Sequence, residues 1–384
     1  MIANDPRVRR QVDWLVESGW VVDTLGLSGP AAPEASRHYE LSAPKPWLLT
    51  KWGTLLVHTF VPRRARFRKL VTDRVPRELV DDIRVGAYDL IVFNEYEFTP
   101  WVSDPRDFTL AASCARLHLD IHEYHKPHVR RHTLGARLTG HHYRWVRRQI
   151  GNPAFDSRTV VNAQIGQLYV DELAIPQPTP LLNTPPFADL RPSGTIDDRV
   201  RLVYHGIAGW ERGFHEILDA MRVLPPRFTM AFMLMPNPVI TRQLEELIAE
   251  HPARDRIEIL PPAPVFEIAE RINAFDLELI FLPPRTTNLV YALPNKLFEA
   301  IQGRLGVVIG ESPAMAEIVR DCEIGVVVPT FRASDLAAAL TALTPEDIRA
   351  MKSAADRAAH RFNAEAEGRV FRDAIGADAE SVAR

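Results

Sequence analysis

Cysteine is nearly missing from this chain of 384 residues, which contains only Cys114 and Cys322. Two isolated cysteines build neither a disulfide framework nor a cysteine-rich zinc site. We therefore expect no bound metal and no stabilising disulfide, and a cytoplasmic protein in a reducing compartment.

Long apolar runs and a strong net charge are also missing. No stretch approaches the roughly 20 uninterrupted apolar residues that a membrane-spanning helix needs, and the first residues lack the apolar segment of a signal peptide. The formal net charge is -3, with both signs spread along the chain, so no overall field attracts nucleic acid. We expect a soluble or peripheral protein with no nucleic-acid partner, in which any anion site is a local cluster.

What the chain has is alternation of short apolar strands with helices, over a length that exceeds a single core. In the second half, strands are predicted to begin at these residues: Arg201, Thr229, Ile257, Leu277, Gly306 and Gly325. In the first half, strands are predicted within 21–27 and 88–93, in the run ending at Ile121, and from Thr159. This spacing predicts an α/β fold of two Rossmann-like domains with doubly wound parallel sheets.

The opening of the chain is unusual for such a domain. Residues 5–20 read as a helix, and only Met1, Ile2 and Ala3 precede it. Three residues are too few for the central first strand of a doubly wound sheet. We expect the first strand to be truncated or shortened.

The boundary between the two domains is predicted from a proline-rich segment. The segment 176–192 is rich in proline and cannot continue a helix or a central strand. We therefore predict an N-terminal domain over 1–186 and a C-terminal domain over 196–345, followed by helices over 346–384.

Two segments of the second half have the composition of an anion site. The loop 205–213 follows a strand and opens a helix, so Gly206 permits close backbone approach and Arg212 can clamp a diphosphate. Its alternative is a tight turn with a solvated arginine. The segment 293–300 (LPNKLFEA) places Lys296 and Glu299 three apart on one helical face, where they serve a phosphate and vicinal hydroxyls, or simply form a solvated surface pair.

The order of these motifs resembles GT-B glycosyltransferases of the large retaining bacterial family, family 4 or group 1, which builds polysaccharides and glycolipids. The matching segments are HG…RG at 205–213, LPNKLFEA at 293–300, ESPAMAEIV at 311–319, GVVV at 325–328, DPRV at 5–8, DIHE at 120–123 and LNTP at 182–185. They cover nearly the whole chain in order, and PNKLFE is the most specific. The resemblance implies a GT-B fold whose two domains face a central cleft, with 1–186 on the acceptor side and 196–345 binding the donor. It also implies that the helices of 346–384 cross back onto the first domain.

The resemblance implies roles for individual residues. Arg212 and Lys296 would bind the donor diphosphate and act in catalysis, Glu299 would hold the ribose hydroxyls, and His122 would face the transferred sugar. The remaining residues expected at the donor are Gly206, Val265, Phe266, Asn288, Tyr291 and Asn295, with the loop 263–266 seating the nucleobase against backbone groups. Many relatives have a glutamate eight positions before the ribose glutamate, where this chain has Tyr291, so Asn288 is the candidate to replace that sugar contact.

The reaction that the resemblance implies is transfer of a sugar from a nucleoside-diphosphate sugar to the hydroxyl of a glycan or lipid-linked acceptor, with retention. Cationic side chains and helix N-termini would stabilise the leaving phosphate in place of a metal, so no cofactor is expected. A sugar-nucleotide epimerase on the same fold and a non-catalytic nucleotide-sugar-binding protein are the alternatives. The epimerase lacks support from paired acid and base carboxylates.

Two further clusters have open interpretations. The histidines 118, 122, 125, 128 and 132 lie beside Lys126, Arg130 and Arg131, and we expect a mobile basic loop near the acceptor rather than a metal site. The segment 47–69 combines tryptophans and leucines with five basic residues, Arg63, Arg64, Arg66, Arg68 and Lys69. It is either a peripheral membrane contact or a core-packing helix followed by a solvated basic face.

Overall fold

The computed structural model describes residues 5–27, 32–103, 115–125, 134–194 and 199–376. The chain divides into two compact units, one of Met1–Leu182 with Gly368–Arg384 and the other of Asn183–Glu367. The first boundary falls inside the proline-rich segment 176–192. The second falls inside the last helix.

The first unit contains two parallel sheets. Its strands are β1 (Asp23–Gly26), β2 (Arg37–Glu40), β3 (Leu90–Phe93), β4 (Arg116–Ile121), β5 (Ser157–Val160) and β6 (Thr179–Pro180). β1 pairs with β2, and the other four form a sheet in the order β3-β4-β5-β6. Within the described ranges no strand joins the two sheets.

Six α-helices surround these strands. They are α1 (Pro6–Glu17), α2 (Lys51–Phe60), α3 (Arg63–Leu70), α4 (Arg77–Arg84), α5 (Leu134–Arg148) and α6 (Ala163–Leu173). α1 begins at Asp5, whose side chain accepts hydrogen bonds from the backbone N–H groups of Arg7 and Val8. Such a cap satisfies donors that the first turn of a helix leaves unpaired.

A buried ion pair joins α1 to β4. The guanidinium of Arg7 donates from Nε and Nη2 to the two carboxylate oxygens of Asp120, both at 2.6 Å. Its Nη1 donates to the backbone oxygen of Leu181 at 2.7 Å. Gln11 and Thr159 also donate to Asp120. Burial alone would raise the pKa of Asp120, but the charge and hydrogen bonds of Arg7 hold it well below its usual value.

The second unit has one six-stranded sheet in which all strands are parallel. Its strands are β7 (Val200–Ile207), β8 (Phe228–Met235), β9 (Ile257–Leu260), β10 (Leu277–Ile280), β11 (Gly306–Gly310) and β12 (Gly325–Val328). The order is β12-β11-β10-β7-β8-β9, which is the order of a doubly wound sheet. The direction of winding reverses between β7 and β10, where such sheets bind ligands outside the carboxyl ends of the strands.

Nine α-helices follow these strands in the described chain. They are α7 (Phe214–Val223), α8 (Pro238–Ala249), α9 (Ile268–Ile272), α10 (Thr287–Val290), α11 (Asn295–Gln302), α12 (Pro313–Asp321), α13 (Ala333–Ala342), α14 (Pro345–Ala359) and α15 (Ala364–Ile375). Helices on both faces explain why every residue of β10 and β11 is buried. None of the helices in the described ranges combines the length and apolar content that crossing a bilayer requires.

Candidate functional site

The candidate site of the second unit lies where β7 ends and α11 begins. β7 ends with Tyr204, His205, Gly206 and Ile207, and α11 starts at Asn295. Gly206 has a φ of +115°, a conformation that residues with a side chain rarely adopt. A Cβ atom there would lie 3.6 Å from Nζ of Lys296. The glycine therefore leaves the backbone open directly beside the ammonium group.

Lys296 is buried although it stands at the start of a helix. Its side chain is folded inward, so the residue is 8 % exposed. The ammonium donates to the backbone oxygen of His205 at 2.7 Å. The pKa of Lys296 is lowered to about 7, mainly by burial and also by the charge of Arg212, against the opposing effect of Glu278. The interpretation of Lys296 and Glu299 as a solvated surface pair is therefore wrong.

Glu299 has His205 as its ion partner in the described chain, rather than Lys296. Nε2 of His205 lies 2.8 Å from Oε2 of Glu299, and Nδ1 lies 3.0 Å from Oε2 of Glu278. Burial alone would lower the pKa of His205, but the two carboxylates raise it to about 9. At neutral pH the ring is an imidazolium between two carboxylates. Its contact with Glu299 holds that side chain in place at the carboxyl end of the strands.

Arg212 lies in a short 3-10 turn between two glycines. Gly213, which follows it, has a φ of +80°, and a Cβ atom there would lie 2.1 Å from the backbone oxygen of Phe281. The Arg212 side chain is 26 % exposed, and Nε lies 3.6 Å from Oε1 of Glu211. The partly buried guanidinium contributes to lowering the pKa of Lys296. Two cations thus share the carboxyl end of this sheet.

The other residues predicted at the donor lie around this end in several elements. Oδ1 of Asn295 accepts a hydrogen bond of 2.5 Å from Nδ2 of Asn183, which belongs to the predicted connector motif. Asn288 lies in α10, and Tyr291 caps its C-terminus. Val265 and Phe266 form an exposed turn after β9, with Phe266 87 % exposed. The turn predicted to seat the nucleobase is therefore exposed.

His122 lies in the first unit, directly after β4. Its Nε2 is 3.1 Å from Oδ2 of Asp120 and 3.1 Å from Oδ1 of Asn94. Asn94 follows β3, so both contacts lie at the carboxyl end of this parallel sheet. Burial raises the pKa of neighbouring Glu95. This cluster is the counterpart in the first unit of the polar end described above.

The predicted histidine loop is only partly a loop. His118 is fully buried within β4, where its two ring nitrogens bond to Ser157 and Thr159 at 2.7 and 2.9 Å, so its inclusion in a mobile loop is wrong. The ring of His125 stacks on Tyr96 at 4.0 Å. The remaining members, Lys126, His128, Arg130, Arg131 and His132, lie outside the described residues. Among the side chains that the structure describes, no group of three or more metal-ligand types is arranged to hold a metal.

Sequence reasoning missed His205, Glu278 and Tyr204 as members of the site. His205 stands inside the quoted HG motif, but its two carboxylate partners are 73 and 94 residues away. A signal for Glu278 is present, because a glutamate within a strand that is covered on both faces must be buried and needs a partner.

This architecture is that of the GT-B class of α/β proteins. No protein-family model matches the chain, and no curated protein matches it in sequence. Solved structures are similar to it in fold. A glycosyltransferase from Rickettsia africae ESF-5 is 12 % identical with a TM-score of 0.65, over 97 % of this chain and 95 % of that one.

Two further structures extend this similarity. A sucrose-phosphate synthase from Thermosynechococcus elongatus is 18 % identical with a TM-score of 0.64, over 97 % of this chain and 93 % of that one. HepE of Anabaena, in complex with UDP and glucose, is 14 % identical with a TM-score of 0.63, over 98 % and 96 % of the two chains. At these identities the comparisons establish the fold.

Proposed function

We propose that the chain is a glycosyltransferase that takes its sugar from a nucleoside-diphosphate sugar. The observation that carries the proposal is the buried ammonium of Lys296 beside the open backbone of Gly206, at the point where the sheet of the second unit reverses its winding. A buried cation next to accessible backbone is a site for a phosphate group. The structural similarity to a protein holding UDP and glucose supports the same ligand class.

Each member of the site has a task in this proposal. The ammonium of Lys296 uses one donor on His205 and has two more for the diphosphate. Arg212 adds a guanidinium, and Glu299 accepts from the ribose hydroxyls while His205 holds it in place. As the bond to the sugar breaks, negative charge grows on the leaving diphosphate, and the two cations stabilise it.

The acceptor side of the proposal concerns the first unit. His122 contacts the transferred sugar, and the leaving phosphate takes the proton of the acceptor hydroxyl, so that transfer proceeds with retention and without a dedicated protein base. Tyr291 stands where many relatives have the glutamate that contacts the donor sugar, and Asn288 replaces that contact, so that these two residues select which sugar is used.

The proposed role is in cell-surface polysaccharide or glycolipid synthesis, on a glycan or lipid-linked acceptor at the inner face of the membrane. The segment 47–69 is the proposed peripheral membrane contact. It is supported by α2, which leaves Trp52 and Phe60 about three-quarters exposed. Basic residues accompany these apolar side chains, as in segments that bind anionic lipid surfaces.

Product analysis tests the proposal. The protein is incubated with a panel of nucleotide sugars, with and without a mixture of glycan and polyprenyl-phosphate acceptors, and the products are identified by mass spectrometry. Transfer that needs an acceptor and disappears in Glu299→Gln, but persists in the exposed control Glu246→Gln, supports it. Conversion of the donor without acceptor would instead show an epimerase, and binding without turnover a non-catalytic protein.

A further inference from the structure

A basic pocket lies in the first unit, outside both polar ends described above. It is formed where α3 meets α5 and has a volume of about 230 Å³. It is lined by four arginines, two histidines and one tryptophan: Arg63, Arg66, Arg144, Arg148, His141, His142 and Trp145. The residues come from stretches about 80 positions apart, so the pocket exists only in the folded unit.

Arg66 gives the pocket a fixed positive charge. The residue is 7 % exposed, and its guanidinium donates to the backbone oxygens of Val57, His58 and Val61. Its Nη1 lies 3.2 Å from Nδ1 of His58. All these partners are neutral, and burial lowers the pKa of Arg66. Within the part of the chain that the structure describes, Arg66 has no carboxylate partner. A buried cation without a counter-ion is costly, and an anion in the pocket would offset that cost.

The other arginines add charge that carboxylates do not neutralise. Arg63 stacks over the ring of Trp145 at 5.6 Å, and Arg144 lies 3.0 Å from Nδ1 of His141. Over the described ranges, Arg63, Arg144 and Arg148 form no ion pair with a carboxylate. The pocket therefore presents guanidinium groups with free donors, which match the oxygens of a phosphate.

An exposed apolar row begins next to this pocket. Trp52, Leu56 and Phe60 follow one face of α2 at intervals of four and are 75, 51 and 76 % exposed. Phe60 precedes Arg63 by three residues, so their Cα atoms are at most about 11 Å apart. Apolar side chains beside phosphate-binding cations fit one ligand class, an anionic phospholipid surface.

We propose that this pocket binds the phosphate group of an anionic phospholipid while the row Trp52, Leu56 and Phe60 enters the bilayer interface. The proposal deepens the membrane contact by assigning it a headgroup site that includes α5. It is independent of sugar transfer, because a protein of any activity with this pocket and this row would bind such a surface.

Vesicle co-sedimentation of the full chain tests the proposal. The vesicles contain phosphatidylcholine alone or with 30 % phosphatidylglycerol, at about 0.15 M salt. We expect binding only to the anionic vesicles. The triple variant Arg63→Gln/Arg144→Gln/Arg148→Gln should partition roughly a hundredfold more weakly, since each arginine near an anionic surface contributes roughly a factor of five. Leu56→Ser/Phe60→Ser should also weaken binding.

The matched control removes the same charge elsewhere. Arg222→Gln/Arg242→Gln/Arg254→Gln changes three exposed arginines of the second unit, and it should bind vesicles as the unchanged protein does. Equal loss in both triple variants would show a bulk charge effect and overturn the proposal. Inorganic phosphate that prevents vesicle binding at micromolar concentration would also overturn the proposal, because the ligand would then be a free anion. Retained UDP binding in the pocket variant separates this result from a failure of the donor site.

Discussion

The ammonium nitrogen of Lys296 lies 3.4 Å from the centre of the Tyr204 ring. Tyr204 is fully buried at the end of β7, so the aromatic face shields the cation from water on one side. A ring face attracts a cation, but it replaces hydration only in part. Such shielding is part of the burial that lowers the pKa of Lys296 to about 7.

Donor binding should therefore depend on pH. The diphosphate binds the protonated form of Lys296, which predominates below about pH 7 in the donor-free protein. Above that value, binding must take up a proton, and the affinity for UDP-glucose should fall roughly tenfold per pH unit. Calorimetry between pH 6 and 8.5 measures the slope. The Lys296→Arg variant, whose guanidinium stays charged, should lose this pH dependence. An equal slope in that variant would contradict the role of Lys296.

His205 should stabilise the fold in a pH-dependent way. Its pKa in the folded chain, about 9, lies above the ordinary value of 6.5. The stabilisation is therefore complete below pH 6.5 and is lost as the pH rises through 9. The destabilisation caused by His205→Gln, measured by urea unfolding, should be largest near pH 6 and shrink toward pH 9.

His251 supplies the matched comparison, because it is equally buried in the same unit but its pKa is lowered by burial. His251→Gln should show no such shrinkage between pH 6.5 and 9. If both variants changed alike over that interval, the imidazolium between Glu278 and Glu299 would not be the cause. His205→Gln should in addition weaken UDP binding, since Glu299 loses the group that holds it.

The turn that holds Arg212 should require glycine at position 213, because there is no room for a side chain there. Gly213→Ala combines a φ of +80° with a Cβ atom 2.1 Å from the backbone oxygen of Phe281, so backbone must move. Gly19→Ala has a similar φ of +87° but open space around the new carbon. We expect Gly19→Ala to cost about 1 kcal/mol and Gly213→Ala clearly more, with weaker UDP binding. Equal unfolding midpoints would contradict the steric argument.

The buried pair of Arg7 and Asp120 should be far more important than an exposed one. Arg7→Gln leaves Asp120 buried without its counter-ion, and such changes cost about 3–5 kcal/mol. Arg84, which pairs with Asp81 where both side chains are about half exposed or more, is the control, because exposed pairs contribute about 0–1 kcal/mol. Urea unfolding of Arg7→Gln and Arg84→Gln compares the two. A cost for Arg7→Gln as small as that for Arg84→Gln would refute the packing described for α1.

Local patterns predicted much of the second unit. α11 spans Asn295–Gln302, within and just beyond the segment 293–300 that is expected to be helical, and β12 begins at Gly325 as expected. Both succeed because their boundaries are marked locally, α11 by Pro294 at its start and Gly303 at its end, and β12 by a short apolar run after Gly325. The doubly wound order follows from the same alternation.

The charged groups of the interior were harder to predict. Whether Lys296 turns inward or outward depends on the space beside Gly206 and on the Tyr204 ring, 92 residues earlier in the chain. The basic pocket depends likewise on α5 lying against α2 and α3. Such contacts are set by tertiary packing, and residue spacing within one element carries no information about them.

Calorimetric titration of UDP tests the central claim most directly, because it needs neither the sugar nor the acceptor to be known. The unchanged protein should bind UDP at one site, and Lys296→Met and Arg212→Gln should each weaken that binding about 10- to 100-fold, the effect of removing a charged hydrogen bond. Arg242→Gln, an exposed arginine of the same unit, should leave it unchanged. An absence of UDP binding, or equal affinity in all three variants, would contradict the account.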